Sequence, residues 1–411
     1  MLKNIEFRYG KGSYAIEVPD KTNTLSIKEP DFQISREKFA DKFSLHLPEN
    51  ISDCRAVSIV VADKTRLCDY KTYLPWVLDI LFQKGIQKSW IQIFIAYGTH
   101  AKQDDEECLK AYGRIYQEYR FIHHDCNDKT LFRYLGKTDH GTMVHVRKDI
   151  LESDLIITFG ALSHHYFAGY GGGRKLLFPG LGYKPDIYHN HGLFLDKSLE
   201  KLSPGCWPGN FENNPLAEDL KQIDDVIKNQ RLSIHGILNS KGRVTRLIAG
   251  NTYNDFLNAC KCLDPFYKAN INKQYELVIA SCGGFPKDIN FIQGHKAINN
   301  AAMFVKDKGS LIVLAECIDG IGSDAFMEYF NYHDFSMAFD ILKKDYKGNG
   351  GTALSMMAKT GRIKIFLKTS LDDKICHKIG VTKIKKTRIQ NLVKKFQNDM
   401  VCIENASLLI R

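Results

Sequence analysis

The feature that most constrains the fold is an alternation between short apolar runs and amphipathic segments. Early in the chain, AVSIVVAD (56–63) has the composition of a buried strand, and YLPWVLDILFQKG (73–85) follows it with helical spacing. The same pattern continues in the strand-like segment 90–98, the helical segment 107–119 and the strand-like segment 154–162. Alternation of this kind predicts an α/β fold with mostly parallel sheets.

A second series of alternating segments follows residue 275. The strand ELVIASCGG (276–284) precedes a helical segment at 291–309, and the strands SLIVLAEC and RIKIFLKTS come later. RLSIHGILNSKGRVTRLIAG (231–250), before this series, has the pattern of a hairpin. The polar segment FYKANINKQY (266–275) separates the two series. We therefore predict two α/β domains with an active-site cleft between them. They cover residues 1–268 and 269–411, and the last residues could pack back on the first domain.

Composition indicates an ordinary globular chain. Its 411 residues are 44% hydrophobic and 25% charged, which is enough for two sizeable cores. No apolar run reaches the ~18 residues of a membrane span, and the N-terminus lacks the apolar region of a secretory signal. The eleven cysteines have no paired metal-binding spacing. These features predict free thiols in a reducing cytoplasm.

The formal charge of +10 is concentrated near the C-terminus. Between Lys359 and Lys395 there are twelve basic residues and only two acids, while the rest of the chain is neutral. A basic stretch can bind nucleic acid. This one has no interleaved aromatic platform, so we favour solvated helix faces and predict no nucleic-acid partner.

Four polar motifs directly follow predicted strands. They are ADKTR with Asp63 and Arg66, YGTH with His100, HHYFAGYGGGRKLLFPG (164–180), and CGGFPKDINFIQGHK with Gln293 and Lys296. In open α/β sheets, ligands bind at the carboxyl ends of the strands. Four motifs at such ends favour one shared cleft.

Each motif also has a purely structural explanation when it is taken alone. A histidine such as His100 can cap a loop, and Asp63 with Arg66 can form a surface ion pair. A glycine triplet can be a flexible loop, and the spacing of HNH (189–191) is not diagnostic of a metal site. Lys296 can be a solvated helix residue. Only the four motifs together indicate a function.

As a set, the motifs resemble the lactate racemase family of nickel-pincer nucleotide enzymes. The block 160–191 is the most specific part, with a histidine, AGY, GGG, Arg-Lys, PG and a closing histidine in that order. The resemblance extends through YGKGSYAIEVPD (9–20), LGKTDHGTMVHV (135–146) and ECIDGIGSDAF (316–326), which together span most of the chain. It implies an isomerase that racemises or epimerises 2-hydroxy acids.

The cofactor that the resemblance implies is a pyridinium mononucleotide whose two thiocarboxyl groups hold nickel. One of these groups forms a thioamide with a lysine, which matches Lys175, and the nickel takes a histidine ligand, which matches His191. Such an S-C-S-N donor set suits square-planar Ni(II). Other proteins build the cofactor and are therefore expected partners, so purified protein could lack it.

Further roles follow for the residues around that cofactor. We expect the glycines to let the backbone approach the cofactor and its phosphate, and we expect Asp63 to orient neighbouring donors. The three glycines are Gly171, Gly172 and Gly173.

The reaction implied by the resemblance needs a base for each hand of the substrate. Imidazole suits proton exchange near neutral pH, and the matching residues are His100 and His165. Arg66 is expected to grip the substrate carboxylate in a bidentate manner, with Lys296 as a second charge. Gln293 is expected to hold a substrate oxygen.

The chain departs from the family pattern at four places. Leu67 and His164 stand where relatives often have proline, and Ile292 stands where a tyrosine is common. GNGGTALSMM (348–357) replaces a Gly-x-His-Lys-like motif. The last two changes favour a larger hydroxy acid, such as a sugar acid, because Ile292 and the small residues 348–353 would leave room for it.

Two other classes of function stay open on the sequence alone. One is a zinc-dependent hydrolase that uses the same histidines, although no three-ligand set with a carboxylate base is evident. The other is a non-enzymatic binder of nucleotide or nucleic acid. The substrate is expected to be a small molecule, and a homo-oligomer is possible.

Overall fold

The computed structural model describes all 411 residues. The strands are β1 (Leu2–Tyr9), β2 (Gly12–Pro19), β3 (Asn23–Leu25), β4 (Val57–Ala62), β5 (Ile91–Ala96), β6 (Arg120–His123), β7 (Phe132–Lys137), β8 (Met143–Arg147), β9 (Leu155–His165), β10 (Gly169–Gly171), β11 (Leu195–Asp196), β12 (Lys201–Leu202), β13 (Gln230–Leu238), β14 (Val244–Gly250), β15 (Tyr275–Ser281), β16 (Val305–Leu314), β17 (Lys364–Lys368), β18 (Thr382–Lys383) and β19 (Met400–Ile403).

The helices connect these strands. The α-helices are α1 (Arg36–Leu45), α2 (Tyr70–Gln83), α3 (Asp105–Tyr112), α4 (Ile115–Glu118), α5 (Lys148–Leu151), α6 (Lys184–Gly192), α7 (Pro215–Val226), α8 (Tyr253–Tyr267), α9 (Phe291–Ala302), α10 (Asp324–Glu328), α11 (Phe335–Lys344), α12 (Gly350–Arg362), α13 (Asp373–Lys378) and α14 (Lys386–Lys395). Short 3-10 helices span Ile51–Asp53, Lys88–Trp90, Lys129–Leu131, Gly173–Leu176 and Tyr329–Asn331.

The chain groups into two compact units. One, here called the central unit, contains residues 29–193 and 210–264, and the other, the terminal unit, contains residues 1–28, 194–209 and 265–411. The change of unit at residue 265 lies close to the predicted boundary. The N-terminal 28 residues and the segment 194–209 group with the C-terminal residues, whereas a division at residue 268 assigns them to the first domain.

The central unit is built on a seven-stranded sheet. Its strand order is β14-β13-β9-β4-β5-β6, and β10 folds back on the end of β9. The strands β13, β9, β4, β5 and β6 are parallel, so the carboxyl ends of β4, β5 and β9 lie side by side. Every residue of β4 is buried, as its largely apolar sequence predicts. This sheet brings three of the four polar motifs to one edge.

The terminal unit is built on a six-stranded parallel sheet with the order β18-β17-β16-β15-β19-β3. A β1–β2 hairpin and α14 cover one face, where Phe7 and Ile16 pack in one buried cluster with Leu277 and Ile389. The predicted class, two α/β units with mostly parallel sheets, is confirmed.

Local boundaries differ from the sequence pattern where a turn interrupts it. The helical segment predicted for 107–119 breaks at Gly113, whose φ of +66° is unfavourable for other residues. The helix predicted for 291–309 ends at Ala302, and β16 already begins at Val305, although the continuous buried part of this strand starts only at Gly309. The predicted hairpin at 231–250 is confirmed as β13–β14. None of the helices combines the length and the apolar character that a membrane span requires.

Candidate active site

Asp63 is the first residue after β4 and is only 4% exposed. Its Oδ1 accepts hydrogen bonds from the backbone and hydroxyl of Thr65 at 2.9 and 2.6 Å, and its Oδ2 lies 2.6 Å from Nδ1 of His100. Burial by itself would raise the pKa of Asp63, but the hydrogen bonds from His100 and Thr65 outweigh it and lower the pKa. The ionised carboxylate therefore fixes the orientation of His100.

The loop that carries His100 packs against the end of the glycine motif. Gly98 has φ +57° and donates its N–H to the carbonyl of Gly180 at 2.8 Å. A Cβ on Gly180 would stand 2.8 Å from Cβ of Ala96, so only glycine allows this approach. His100 stays 44% exposed at the carboxyl end of β5, as its sequence position predicts.

The glycine triplet is required first of all by packing within the protein. Gly172 and Gly173 have φ of +85° and +54°. A Cβ on Gly172 would stand 2.5 Å from the carbonyl oxygen of Ala161, and one on Gly173 would stand 2.9 Å from the ring of Phe256. The triplet thus lets the chain fold tightly against β9. The predicted contact of Gly171, Gly172 and Gly173 with a cofactor stays a prediction.

Lys175 and His191 lie in the same electrostatic environment. Burial, followed by the charges of Arg66 and Arg174, lowers the pKa of Lys175 to about 7, and its amine makes no hydrogen bond or ion pair. Burial, followed by the charges of Lys175, Arg66 and His100, lowers the pKa of His191 to about 3. At neutral pH, His191 is therefore a neutral imidazole and Lys175 is partly the free amine.

Helix α6 holds His191 in place through its buried neighbour. Asn190 donates to Oδ2 of Asp219 at 2.8 Å, and the hydroxyls of Thr138 and Thr142 donate to the same carboxylate. At the other end of α6, Asp186 Oδ2 lies 2.9 Å from Nδ1 of His145. These bonds tie α6 to α7 and to the β7–β8 hairpin.

The two histidines of the HNH sequence have different surroundings. Nε2 of His189 lies 3.1 Å from the carbonyl oxygen of His140. His191, in contrast, is near Lys175, Arg66 and His100. Of the two, His191 therefore has the position that a cofactor ligand beside Lys175 would need.

Arg174 is a buried cation surrounded by aromatic rings. It is 7% exposed, and its guanidinium lies 5.1 to 5.7 Å from the ring centroids of Phe211, Tyr253 and Phe256. Its Nε and Nη1 have no hydrogen-bond partner. Cation–π contacts compensate part of this burial. Arg174 adds positive charge beside Lys175.

His165 is the last residue of β9. Its Nδ1 accepts the backbone N–H of Ala168 at 3.0 Å and that of Phe167 at 3.3 Å. The strand end is further tied down by Asp264, which contacts Nε2 of His164 at 2.9 Å and accepts the hydroxyl of Tyr170 at 2.7 Å. His164 therefore helps to fix the end of β9.

Gln293 and Lys296 lie on α9 of the terminal unit. Nζ of Lys296 donates to Oε1 of Gln293 at 2.8 Å, so the two residues share one face of the helix. Asn290 caps this helix by accepting the N–H of Gln293. Their predicted contact with substrate stays a prediction.

The small residues at 350–351 do not open a pocket. A Cβ on Gly350 would stand 2.6 Å from the ring of Tyr329, and one on Gly351 would stand 3.1 Å from the ring of Phe194. Aromatic side chains already occupy the space beside both glycines. The expectation that these two residues make room for a larger substrate is therefore wrong.

No three His, Cys, Asp or Glu side chains lie close enough together to hold a metal ion. A zinc site of the hydrolase type, with three protein ligands, thus has no candidate ligand set. A metal bound beside His191 would need most of its donors from a non-protein group.

Two family models match the chain. The lactate racemase N-terminal domain matches residues 9–202, and the lactate racemase C-terminal domain matches residues 271–347. The chain belongs to the lactate racemase family.

Individual relatives agree with this assignment. A lactate racemase of Thermoanaerobacterium thermosaccharolyticum is 26% identical over 340 residues, which cover 80% of this chain and 78% of that protein. A lactate racemase of Lactiplantibacillus plantarum is 28% identical over 283 residues, which cover 68% of this chain and 63% of that protein. The family and these relatives place the chain among the isomerases, as racemases.

Solved structures share the fold. The lactate racemase apoprotein of T. thermosaccharolyticum has a TM-score of 0.87 and 24% identity, with 99% of each chain covered. A crystal structure of a Thermotoga maritima protein has a TM-score of 0.65 and 15% identity, covering 93% of this chain and 99% of that one.

Proposed function

We propose that the chain is a racemase or epimerase of 2-hydroxy acids that uses a nickel-pincer nucleotide attached covalently to Lys175. The observation that carries the proposal is the unpartnered Lys175 amine close to the neutral imidazole of His191, with the His100–Asp63 pair nearby. The family assignment supports the enzyme class. Alternatives with three protein ligands to zinc have no comparable support.

The residues present fit the proposed cofactor. A partly deprotonated lysine amine can form an amide-type bond, and a neutral imidazole can donate its lone pair to Ni(II). Positive charge from Arg66 and Arg174 suits an anionic mononucleotide. With only one protein ligand beside Lys175, the remaining donors would have to come from the cofactor itself. When bound, the group would accept a hydride from Cα and return it.

The chain's own residues would bind and orient the substrate. Arg66 is proposed to hold the carboxylate in a bidentate manner, and Gln293 and Lys296 are proposed to contact substrate oxygens. His100 would accept the hydroxyl proton at Nε2, because Asp63 occupies its Nδ1. His165 is the proposed acid–base group for the opposite hand. The ionised Asp63 would stabilise the imidazolium that forms on His100.

The relatives named above are lactate racemases, so lactate is the first substrate to test. Ile292 leaves a larger hydroxy acid as the second candidate. The test is a screen of D and L hydroxy acids, from lactate to sugar acids, against protein co-expressed with cofactor-making enzymes. Loss of optical purity together with bound nickel supports the proposal. Hydrolysis with bound zinc, or nucleotide binding without turnover, would instead support one of the two other classes.

A further inference from the structure

The two proposed acid–base histidines differ in which ring nitrogen the protein occupies. Nδ1 of His100 lies 2.6 Å from Oδ2 of Asp63, an ionised carboxylate that can only accept a hydrogen bond. Nδ1 of neutral His100 must therefore carry the proton. Its Nε2 then holds the lone pair, which is the form that a base requires.

His165 has the opposite arrangement. The backbone N–H groups of Ala168 and Phe167 point at its Nδ1, at 3.0 and 3.3 Å. A backbone N–H can only donate, so Nδ1 must hold the lone pair. The proton of neutral His165 is consequently on Nε2, which has no lone pair to accept another.

The tautomer of His165 is tied to the local backbone. Its ring caps the turn between β9 and β10, where His165 pairs with Gly169. The ring also stacks on Tyr166, with 5.1 Å between centroids and an interplanar angle of 24°. Rotation of the imidazole would therefore remove the acceptor from two backbone amides of this turn and disrupt the stacking.

We propose that the two histidines are functionally unequal in the resting protein. His100 is ready to accept a hydroxyl proton at Nε2, whereas His165 presents an Nε2–H donor. His165 becomes a base only after its Nδ1 leaves the amides of Phe167 and Ala168. This inference deepens the proposed function and depends on it for the reaction, but the tautomers are a property of the protein alone.

The inequality has a kinetic consequence for the two hands of substrate. For the enantiomer that His100 deprotonates, one proton moves from the substrate hydroxyl to Nε2 of His100, and the Asp63 carboxylate balances the charge of the imidazolium. For the opposite enantiomer, the hydrogen bonds to Nδ1 of His165 must break before His165 can accept the hydroxyl proton. Two neutral hydrogen bonds correspond to a first turnover that is slower by roughly 5- to 150-fold.

The direct test is long-range ¹⁵N–¹H NMR of histidine-labelled protein without cofactor. The spectra are recorded at increasing pH above neutrality until the ring signals stop changing, so that the neutral imidazoles are observed. The ring signals are assigned from the variants His100→Asn and His165→Asn. In the second variant, the Asn side-chain oxygen can still accept from the turn amides, so the turn should persist. We expect an Nδ1–H tautomer for His100 and an Nε2–H tautomer for His165. The same tautomer on both residues, or Nδ1–H on His165, would overturn the inference.

A second measurement uses protein loaded with cofactor. Single-turnover oxidation of the two enantiomers is expected to differ in rate, and His100→Asn should abolish oxidation of the faster one. Equal first-turnover rates in wild type would overturn the kinetic part. If neither hand reacts, the proposed function fails, while the NMR result still decides the tautomers.

Discussion

Replacing Asp219 with asparagine should test how the protein positions His191. Asp219 is fully buried on α7, and its carboxylate accepts hydrogen bonds from Thr138, Thr142 and Asn190. Asparagine keeps the shape but replaces one acceptor oxygen with an NH₂ group. That NH₂ would face groups that donate to the carboxylate in the wild type.

The magnitude follows from the number of bonds that are lost. A hydrogen bond to a charged group contributes about 1.5–3 kcal/mol, and the neutral amide keeps only one acceptor oxygen for the three donors. Because at least one bond to a charged acceptor is lost, we expect the free energy of unfolding to fall by about 1.5–3 kcal/mol in Asp219→Asn. Because Asn190 precedes His191, amide exchange in α6 should also become faster.

The assay is equilibrium urea unfolding, combined with hydrogen-exchange mass spectrometry of residues 184–192. Asp225→Asn is the matched control on the same helix, since its pair with Lys221 is exposed and worth about 0–1 kcal/mol. If Asp219→Asn were within about 1 kcal/mol of this control, with unchanged exchange in α6, the positioning argument would be refuted.

Three further predictions concern charge and metal. Burial lowers the pKa of His235 to about 4, below the ordinary value of ~6.5. The contribution of neutral His235 to the free energy of unfolding is therefore complete above pH ~6.5 and is lost as the pH falls towards 4. His235→Leu should therefore flatten the acid side of a plot of unfolding free energy against pH by up to about 3 kcal/mol, and an unchanged slope would contradict this. Arg66→Ala and Lys296→Ala should each reduce kcat/KM by roughly 10- to 150-fold, because each removes a charged hydrogen-bond partner; rates within about twofold of wild type would argue against a carboxylate substrate. His191→Ala should lose nickel by elemental analysis but keep the organic adduct, and equal nickel content in both proteins would shift the ligand role to His189.

Local sequence patterns were sufficient to predict the sheet edge that carries the site. Buried strands are rich in apolar residues, and this pattern located β4, β5 and β9 with the polar motifs at their ends. Parallel pairing then brings Asp63, His100 and His165 to neighbouring strand ends. Local patterns could not predict that the N-terminal residues belong to the terminal unit. This membership depends on the pairing of β3 with β19, in which Asn23 lies opposite Val401, far away in the sequence.

Other features depend on contacts between distant segments. Asp219 accepts hydrogen bonds from Thr138 and Thr142, which are 81 and 77 residues away in the sequence. Both threonines belong to the motif LGKTDHGTMVHV, and nothing in that motif indicates Asp219 as their partner. The sequence also did not predict the packing of Gly172 against Ala161 or the aromatic rings that surround Arg174. Their only signal in the sequence was a glycine within a triplet and an arginine beside a lysine.

The most direct test of the central proposal is the intact mass of wild-type protein and of Lys175→Ala, each co-expressed with cofactor-making enzymes. The wild type should carry a covalent nucleotide adduct, and peptide mapping should place it on Lys175. The Lys175→Ala variant, with a circular dichroism spectrum like that of the wild type, should carry none. A full adduct on the variant, or an adduct mapped to another lysine of the wild type, would contradict the account.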